Sequence, residues 1–330
     1  MITLRRRDFI KAVVSSPVAW PALAHAQQSA MSVIGWLSSG TPRTFSKFLK
    51  AFQQGLQEQG FVEGRNLAIK YQWAEGHFED LDAMARELVA NRVTLIAATG
   101  GTRSAQAAKN ATATIPIVFV LGVDPVQLGL VTSFNKPDGN ITGITIIANE
   151  LATKRLKLLY DLDPGIRNAA FLVNPESPTA DVEIESVKAA AGSTGRPFFV
   201  LEASSGGEID TAFASAVEKQ VRALVISPDP FFMTRRAQIV GLAANYKMLV
   251  MYAFREFVDD GGLMSYGPSL ASGYRVAGVY AGRILNGTKP GDLPIEAPVA
   301  FEFLINLKTA KTLGVTIPAG LLAIADEVIE

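Results

Sequence analysis

Small and polar residues stand at the ends of several predicted strands, and their types suit the binding of a small charged molecule. In the first half of the chain they are Ser38, Ser39, Thr99, Gly100, Gly101, Thr102, Gly122 and Asp124. In the second half they are Asn174, Asp229, Tyr252 and Phe254. Ligands of open parallel sheets bind outside the carboxyl ends of the strands. These residues are therefore predicted to converge on one crevice between the two halves.

Each residue type in this set offers a specific interaction. The first-half loops precede predicted helices, whose unpaired N–H groups bind carboxylate or phosphate, and the Ser and Thr hydroxyls add neutral donors. Asp124 and Asp229 can accept a ligand ammonium group. Tyr252 and Phe254 end a strand that is expected to face the crevice. For any single residue a simpler interpretation stays open, because Ser, Thr, Asp and Asn are common helix N-caps and Gly is common in strand–helix turns.

Groups that most catalytic and metal sites need are scarce in this sequence. Cysteine is absent, and the two histidines are His25 and His77. A serine-hydrolase triad needs an imidazole, and zinc sites draw on Cys and His. His77 lies in the polar stretch WAEGHFED, before a predicted helix. We therefore expect no catalytic residue, no metal ion and no cofactor; the dinucleotide and P-loop glycine motifs do not occur either.

The N-terminus predicts export. LRRRDFIK is followed by an apolar run from Ala12 to Leu23 and by Ala24-His25-Ala26, a small-x-small cleavage site. A run of about a dozen residues is too short for the roughly 20 that a transmembrane helix needs. The paired arginines match the twin-arginine signal, with an ordinary Sec signal as the alternative. Residues 1–26 are thus predicted to be a signal peptide, and the periplasm is the expected location.

Composition limits the class of protein further. The chain has 31 basic and 31 acidic side chains; without residues 1–26 these become 27 and 30. Such a slightly acidic chain does not suit a nucleic-acid partner, which calls for a basic face. About 300 residues exceed a comfortable single core, so two lobes are expected.

Strand-like and helix-like segments alternate, which favours an α/β fold with parallel sheets. Ser32–Leu37 and Ala169–Val173 are predicted strands, for example, and Phe45–Gln59 and Thr179–Gly192 are predicted helices. The alternation of predicted strands and helices over residues 31–145 repeats over residues 148–260. We interpret the two halves as similar doubly wound, Rossmann-like lobes.

Several stretches are similar to a known family. They include GLQEQGFVEGRNLAIKYQWAEG, IPIVFVLGVDPVQLGLV, LVNPESP, MYAFREFVDDGGLMSYGP, PVAFEFLINLKTAKTLGVTIP and the terminal ADEVIE. In these segments the chain resembles the substrate-binding proteins of ABC importers, and in particular the subfamily with tryptophan- and tyrosine-binding members. The resemblance covers almost the whole chain after the signal peptide. It departs from many exported members in lacking a lipid-anchoring cysteine.

The resemblance implies a type I periplasmic-binding-protein fold with a ligand held between two lobes. The chain would divide discontinuously, with 31–145 and about 263–292 in the first lobe and with 146–262 and about 293–330 in the second. In such relatives the loops after the strands hold the ligand, which agrees with the residues named above.

The expected function is capture of a small amino acid or aromatic carboxylate and its delivery to an ABC permease in the inner membrane. We expect a monomer, because the cleft must open and close. Two alternatives stay open: an exported enzyme that uses cleft carboxylates, and a sensory module that presents the ligand to a receptor.

Overall fold

The computed structural model describes residues 31–148, 151–297 and 301–330. The expected signal peptide, residues 1–26, lies outside the described residues. In the part of the chain that is described, no helix combines the length and the apolar character needed to cross a membrane.

The first lobe is built on a five-stranded parallel sheet. Its strands are β1 (Ser32–Ser38), β2 (Leu67–Trp73), β3 (Leu95–Thr99), β4 (Ile117–Leu121) and β5 (Ile141–Thr145). They lie in the order β2-β1-β3-β4-β5, and every neighbouring pair is parallel. All residues of β3, β4 and β5 are buried. Their nearly continuous apolar runs are typical of a parallel sheet that is covered on both faces.

The second lobe is built on a seven-stranded sheet. Its strands are β6 (Ala169–Val173), β7 (Phe198–Glu202), β8 (Ala223–Ile226), β9 (Leu249–Tyr252), β10 (Met264–Pro268), β11 (Phe301–Asn306) and β12 (Glu327–Ile329). The order is β12-β11-β10-β9-β8-β6-β7, and β10 pairs with β11 antiparallel while the other pairs are parallel. The two largely parallel sheets confirm the predicted α/β class.

Helices connect the strands and cover both sheets. In chain order they are α1 (Ser46–Glu58), α2 (Leu81–Ala90), α3 (Thr102–Ala111), α4 (Ala152–Leu162), α5 (Ala180–Gly192), α6 (Gly206–Glu218), α7 (Pro230–Thr234), α8 (Arg236–Asn245), α9 (Arg255–Asp259), α10 (Leu270–Leu285), α11 (Leu307–Leu313) and α12 (Ala319–Ile324). Helix α1 shows why they form, since Phe48, Phe52 and Leu56 recur every four residues and are all buried.

The segment that returns to the first lobe differs from the expected 263–292. Strand β10 pairs with β9, so residues 264–268 belong to the second sheet. Helix α10 then packs on α1, where Gly55 and Gly278 leave no room for a Cβ between the two backbones. Glu296 donates its N–H to the carbonyl of Gly143 in β5. The first-lobe return therefore begins after Pro268 and reaches at least Glu296.

An aromatic cluster lies between the first sheet and the returning helix. The ring of Tyr274, on α10, stacks on Phe48 with centroids 4.9 Å apart and lies 6.2 Å from Trp36. All three side chains are almost completely buried. The core to which they belong continues into the second lobe through residues such as Phe232 and Tyr252.

Candidate functional site

A cavity lies between the lobes, at the carboxyl ends of β3 and β4 on one side and of β6 and β8 on the other. The space open to the centres of water-sized molecules is about 110 Å³, several times the roughly 10–15 Å³ that one water needs. Seven residues predicted from the sequence line it, namely Gly100, Gly101, Thr102, Gly122, Asn174, Asp229 and Phe254. The expectation that a crevice lies at the carboxyl ends of the parallel strands therefore agrees with the position of the cavity.

The start of α3 forms one polar wall. Gly100 and Gly101 have φ angles of 80° and 108°, which glycine adopts without strain, and α3 has no side-chain cap. The first N–H groups of a helix lack partners within the helix. The N–H of Gly100 donates to the hydroxyl of Tyr274 at 3.3 Å, which fixes the turn before α3. This wall is suited to a carboxylate.

Asp229 and Asn174 form the opposite polar wall. Asp229 Oδ1 accepts hydrogen bonds from Phe231 N–H at 2.8 Å and from Asn174 Nδ2 at 3.2 Å. It thereby caps the short helix α7, which begins with Pro230. Burial raises the pKa of Asp229 above its usual value, and the bonds from Asn174 and Phe231 act in the opposite direction.

Glu183 is a cavity residue that the sequence analysis did not select. Its side chain is 3% exposed and accepts hydrogen bonds from Thr179 Oγ1 at 2.6 Å and from Ser227 Oγ at 2.7 Å. Burial raises the pKa of Glu183, the hydrogen bonds from Thr179 and Ser227 act in the opposite direction, and the nearby charge of Asp229 raises it. A glutamate in the first turn of a helix usually faces solvent, so no sequence signal distinguished it.

Aromatic side chains form the apolar part of the lining. Phe45, Phe48 and Tyr274 approach from the first lobe and Phe254 from the second, while Phe78 lies near the mouth. Phe45 and Phe48 contact each other edge to face at 5.2 Å between centroids. Only Phe254 was predicted from the sequence, because the other four are contributed by helices and a loop rather than by strand ends.

The two lobes touch across the mouth of the cavity. Arg103 Nη2 lies 3.2 Å from Glu176 Oε2 and 3.3 Å from the Glu176 carbonyl oxygen. The same guanidinium lies 4.8 Å from the centroid of the Phe78 ring. A Cβ on Gly101 would lie only 2.7 Å from Cγ of Pro230 in the other lobe. The lobes are therefore closed on each other.

Three residues predicted to contact a ligand lie behind the cavity wall instead. Ser39 Oγ donates to the carbonyl of Gly100 at 2.5 Å, Thr99 Oγ1 donates to that of Leu37, and Ser38 Oγ accepts from Gly40 N–H. Ser38, Ser39 and Thr99 are all buried. Their hydroxyls are used to hold the loops, so the expected direct contact is corrected to a supporting one.

Asp124 and Tyr252 also lie away from the cavity lining. Asp124 Oδ1 accepts hydrogen bonds from the N–H groups of Val126 and Gln127, and so stabilises an exposed turn. Tyr252 is fully buried and stacks on Phe257 at 4.6 Å. Its ring packs in the core, so this side chain is not part of the cavity lining.

No group of three or more His, Asp or Glu side chains within the described ranges is placed to hold a metal ion.

Comparison with known proteins identifies the family of this arrangement. Residues 43–329 match the model of a family described as ABC transporter substrate binding protein. A tyrosine-binding protein of Clostridioides difficile is 28% identical over 271 residues, which are 82% of this chain and 77% of that protein.

Two solved structures are similar over 90% of this chain and 99% of their own. One is an ABC domain from Streptococcus pneumonia in complex with L-Trp, with 26% identity and a TM-score of 0.80. The other is the ligand-free, open form of a substrate-binding protein with adhesive properties from Clostridium difficile, with 25% identity and a TM-score of 0.64.

Proposed function

The chain belongs to the family of ABC transporter substrate-binding proteins, and from this premise we infer that its interlobe cavity binds an amino acid with an aromatic side chain. The observation that carries this inference is the distribution of charge and apolar surface in the cavity. A helix N-terminus lies on one side, the partly buried carboxyl group of Asp229 on the other, and aromatic rings lie between them.

Each group of such a ligand has a counterpart in the cavity. The carboxylate would accept hydrogen bonds from the N–H groups at the start of α3, where Thr102 adds a hydroxyl donor. The ammonium group would face Asp229. The ring would pack on Phe45, Phe48 and Phe254, since aromatic pairs gain about 0.5–1.5 kcal/mol beyond the burial of area. The relatives' ligands, L-Trp and tyrosine, support this choice.

An aromatic carboxylate without an amine fits the cavity less well. It would leave the partly buried charge of Asp229 without a cationic partner, since the two hydrogen bonds that Asp229 accepts come from the neutral donors of Asn174 and Phe231. We therefore favour the amino acid over the second ligand class that the sequence left open.

Function in transport follows from the family. The protein is expected to be a monomer in the periplasm, to close on its ligand by a hinge motion and to dock on a membrane permease of an ABC importer. The ligand would leave chemically unchanged, with no catalysis by this chain. The predicted export signal and the two-lobed form support this role.

A thermal-shift screen tests the inference. The panel would contain L-tryptophan, L-tyrosine, L-phenylalanine, L-leucine, 3-phenylpropionate and glucose. A ligand at a hundred times its Kd stabilises the folded state by about 2.7 kcal/mol. We expect an aromatic amino acid to raise the Tm most. A rise with glucose or 3-phenylpropionate, and none with the amino acids, would contradict the proposed ligand class.

Two aspartate variants refine the screen. Asp229→Asn retains an N-cap for α7, since Asn caps nearly as well as Asp, but it removes the charge that faces the ammonium group. It is expected to weaken binding by about ten-fold or more, since hydrogen bonds to charged groups contribute about 1.5–3 kcal/mol. Asp124→Asn is expected to leave the affinity unchanged. The reverse result would assign the ammonium group to Asp124, the other aspartate that the sequence offers, and would contradict the proposed role of Asp229.

A further inference from the structure

Two carboxyl groups, those of Glu183 and Asp229, line the same side of the cavity. The segment after β8 brings them together. Ser227 donates its hydroxyl to Glu183 Oε2, and Asp229 follows two residues later. The charge on Asp229 raises the pKa of Glu183, so the two groups lie within electrostatic reach of each other.

Little positive charge is available to this pair. Among the described lining residues Arg103 is the single cation, and it lies against Glu176 at the mouth. Behind the wall, Arg155 on α4 is completely buried, and its Nε donates to the carbonyl of Tyr266 at 2.8 Å. Burial lowers the pKa of Arg155 to about 9. Its attraction for Glu183 is weaker than the effect of burial on that carboxyl group.

The hydrogen bonds around the pair allow one carboxyl group to remain neutral. Glu183 is held by two hydroxyl groups, from Thr179 and Ser227, and a hydroxyl can either donate or accept. Asp229 is held by two N–H donors, from Phe231 and Asn174, which favour its ionised form. Neighbouring carboxyl groups that interact strongly titrate as a pair, in which the first charge opposes the second. The proton is therefore expected to reside on Glu183.

We propose that Glu183 and Asp229 form a proton-linked cation subsite, which holds one proton while the cavity is empty and releases it when a ligand ammonium group binds. This proposal deepens the proposed function and rests on it. The O–H bond of the Glu183 carboxylic acid breaks, and the proton passes to solvent. The bound ammonium group replaces its positive charge. Affinity for an amino acid then rises with pH through the titration range of the pair, while a carboxylate without an amine releases no proton.

The first test needs no ligand. In protein labelled with ¹³C at the glutamate side chains, the Glu183 carboxyl resonance is assigned by its loss in Glu183→Gln. It is expected to titrate at a higher pH than the resonances of solvent-exposed glutamates. In Asp229→Asn the same resonance is expected to titrate at a lower pH than in the unmodified protein. A Glu183 resonance that titrates with the exposed glutamates would overturn the proposal.

The second test measures the proton directly. L-Tyrosine and L-tryptophan are titrated by calorimetry in phosphate and in Tris, which differ in ionisation enthalpy, near the pH at which the Glu183 resonance titrates. We expect the heat to differ between the buffers by the amount for release of up to about one proton per bound molecule. Glu183→Gln should abolish this difference, and Glu185→Gln, an exposed residue on the same helix, should retain it. Equal heats in both buffers would contradict the proposal.

The two tests separate this proposal from the proposed function. If neither amino acid binds, the proposed ligand class fails, while the titration of the empty protein still decides whether the pair holds a proton. If an amino acid binds with no release of protons and Glu183 titrates normally, the proposed function stands and the proton-linked subsite is wrong.

Discussion

The guanidinium group of Arg103 and the carboxylate of Glu176 meet across the mouth of the cavity, with Nη2 and Oε2 3.2 Å apart. They come from different lobes, one from the first turn of α3 and the other from the loop after β6. The pair can form only when the lobes are closed. Closure therefore involves a contact between protein groups in addition to the contacts that a ligand makes.

We expect Glu176→Gln to shift the protein toward the open form. The pair is partly exposed, and exposed ion pairs contribute about 0.2–1 kcal/mol, which corresponds to an equilibrium shift of at most about five-fold. Because the sequence has no cysteine, cysteines introduced at one exposed site in each lobe allow specific labelling, and energy transfer between the dyes reports closure. Glu185→Gln is the control. A distance distribution that is identical in all three proteins would show that the pair has no role in closure.

Tyr274→Phe is expected to weaken ligand binding and leave the fold intact. The ring still packs on Phe48, but the hydroxyl that accepts the N–H of Gly100 is lost. One hydrogen bond of about 1 kcal/mol corresponds to an increase of about five-fold in Kd. Calorimetry with L-tyrosine or L-tryptophan measures it. Tyr274→Ala should in addition lower the free energy of unfolding by about 3–5 kcal/mol, as other truncations of buried aromatic rings do. An unchanged Kd in the Phe variant would show that this bond does not position the turn.

Gly101→Ala should oppose closure more than it lowers stability. The positive-φ backbone at this position costs a non-glycine residue about 1–3 kcal/mol, and the added Cβ would lie 2.7 Å from Pro230 Cγ in the closed form. We expect Kd to rise by more than ten-fold, with a smaller fall in the Tm of the ligand-free protein, which can open. Gly207→Ala is the control, since a Cβ there meets no atom within 4 Å. Unimpaired binding by the Gly101 variant would mean that the lobes do not approach this closely in the bound form.

The burial of Glu256 leads us to expect that the stability of the protein depends on pH in a way that is separate from ligand binding. The residue is 5% exposed, and its Oε2 has no hydrogen-bond partner among the described residues. Burial raises the pKa of Glu256 from 4.5 to about 7. Between these values the unfolded chain binds fewer protons than the folded one at this residue, so its contribution to stability falls as pH rises and is lowest above pH 7.

Glu256→Gln should remove this penalty. The variant is expected to be more stable than the unmodified protein above pH 7, by up to about 3 kcal/mol. The gain should disappear as pH falls toward 4.5. Urea unfolding at a series of pH values measures the difference. A variant that is equally or less stable at pH 8 would show that the ionised group is well accommodated.

The sequence predicted the sheets well because their signal is local. β3, β4 and β6 are short apolar runs, each followed by small or polar residues, and both the strands and the loops after them were found. Tyr252 shows the limit of that rule, since its ring packs on Phe257 in the core while Phe254, two residues further on, lines the cavity. Glu183 and Tyr274 were missed because each lies within a helix, where only the packing of a neighbouring element turns it toward the ligand site.

The predicted start of the return to the first lobe, at about residue 263, differs from the structure for a similar reason. The segment MSYGP looks like the start of a return to the first lobe, but its hydrogen bonds go to β9 and β11 of the second sheet. Which sheet a strand joins depends on contacts that are distant in the sequence, and no local pattern records them.

The central claim, that the interlobe cavity holds an amino acid and leaves it unchanged, is tested most directly by mass spectrometry. Small molecules released on denaturing the freshly purified protein are identified and quantified against the protein. We expect an aromatic amino acid of unaltered mass in the released fraction, and much less of it from Asp229→Asn purified in the same way. A sugar, a chemically altered product, or an equal amount of amino acid from both proteins would contradict the claim.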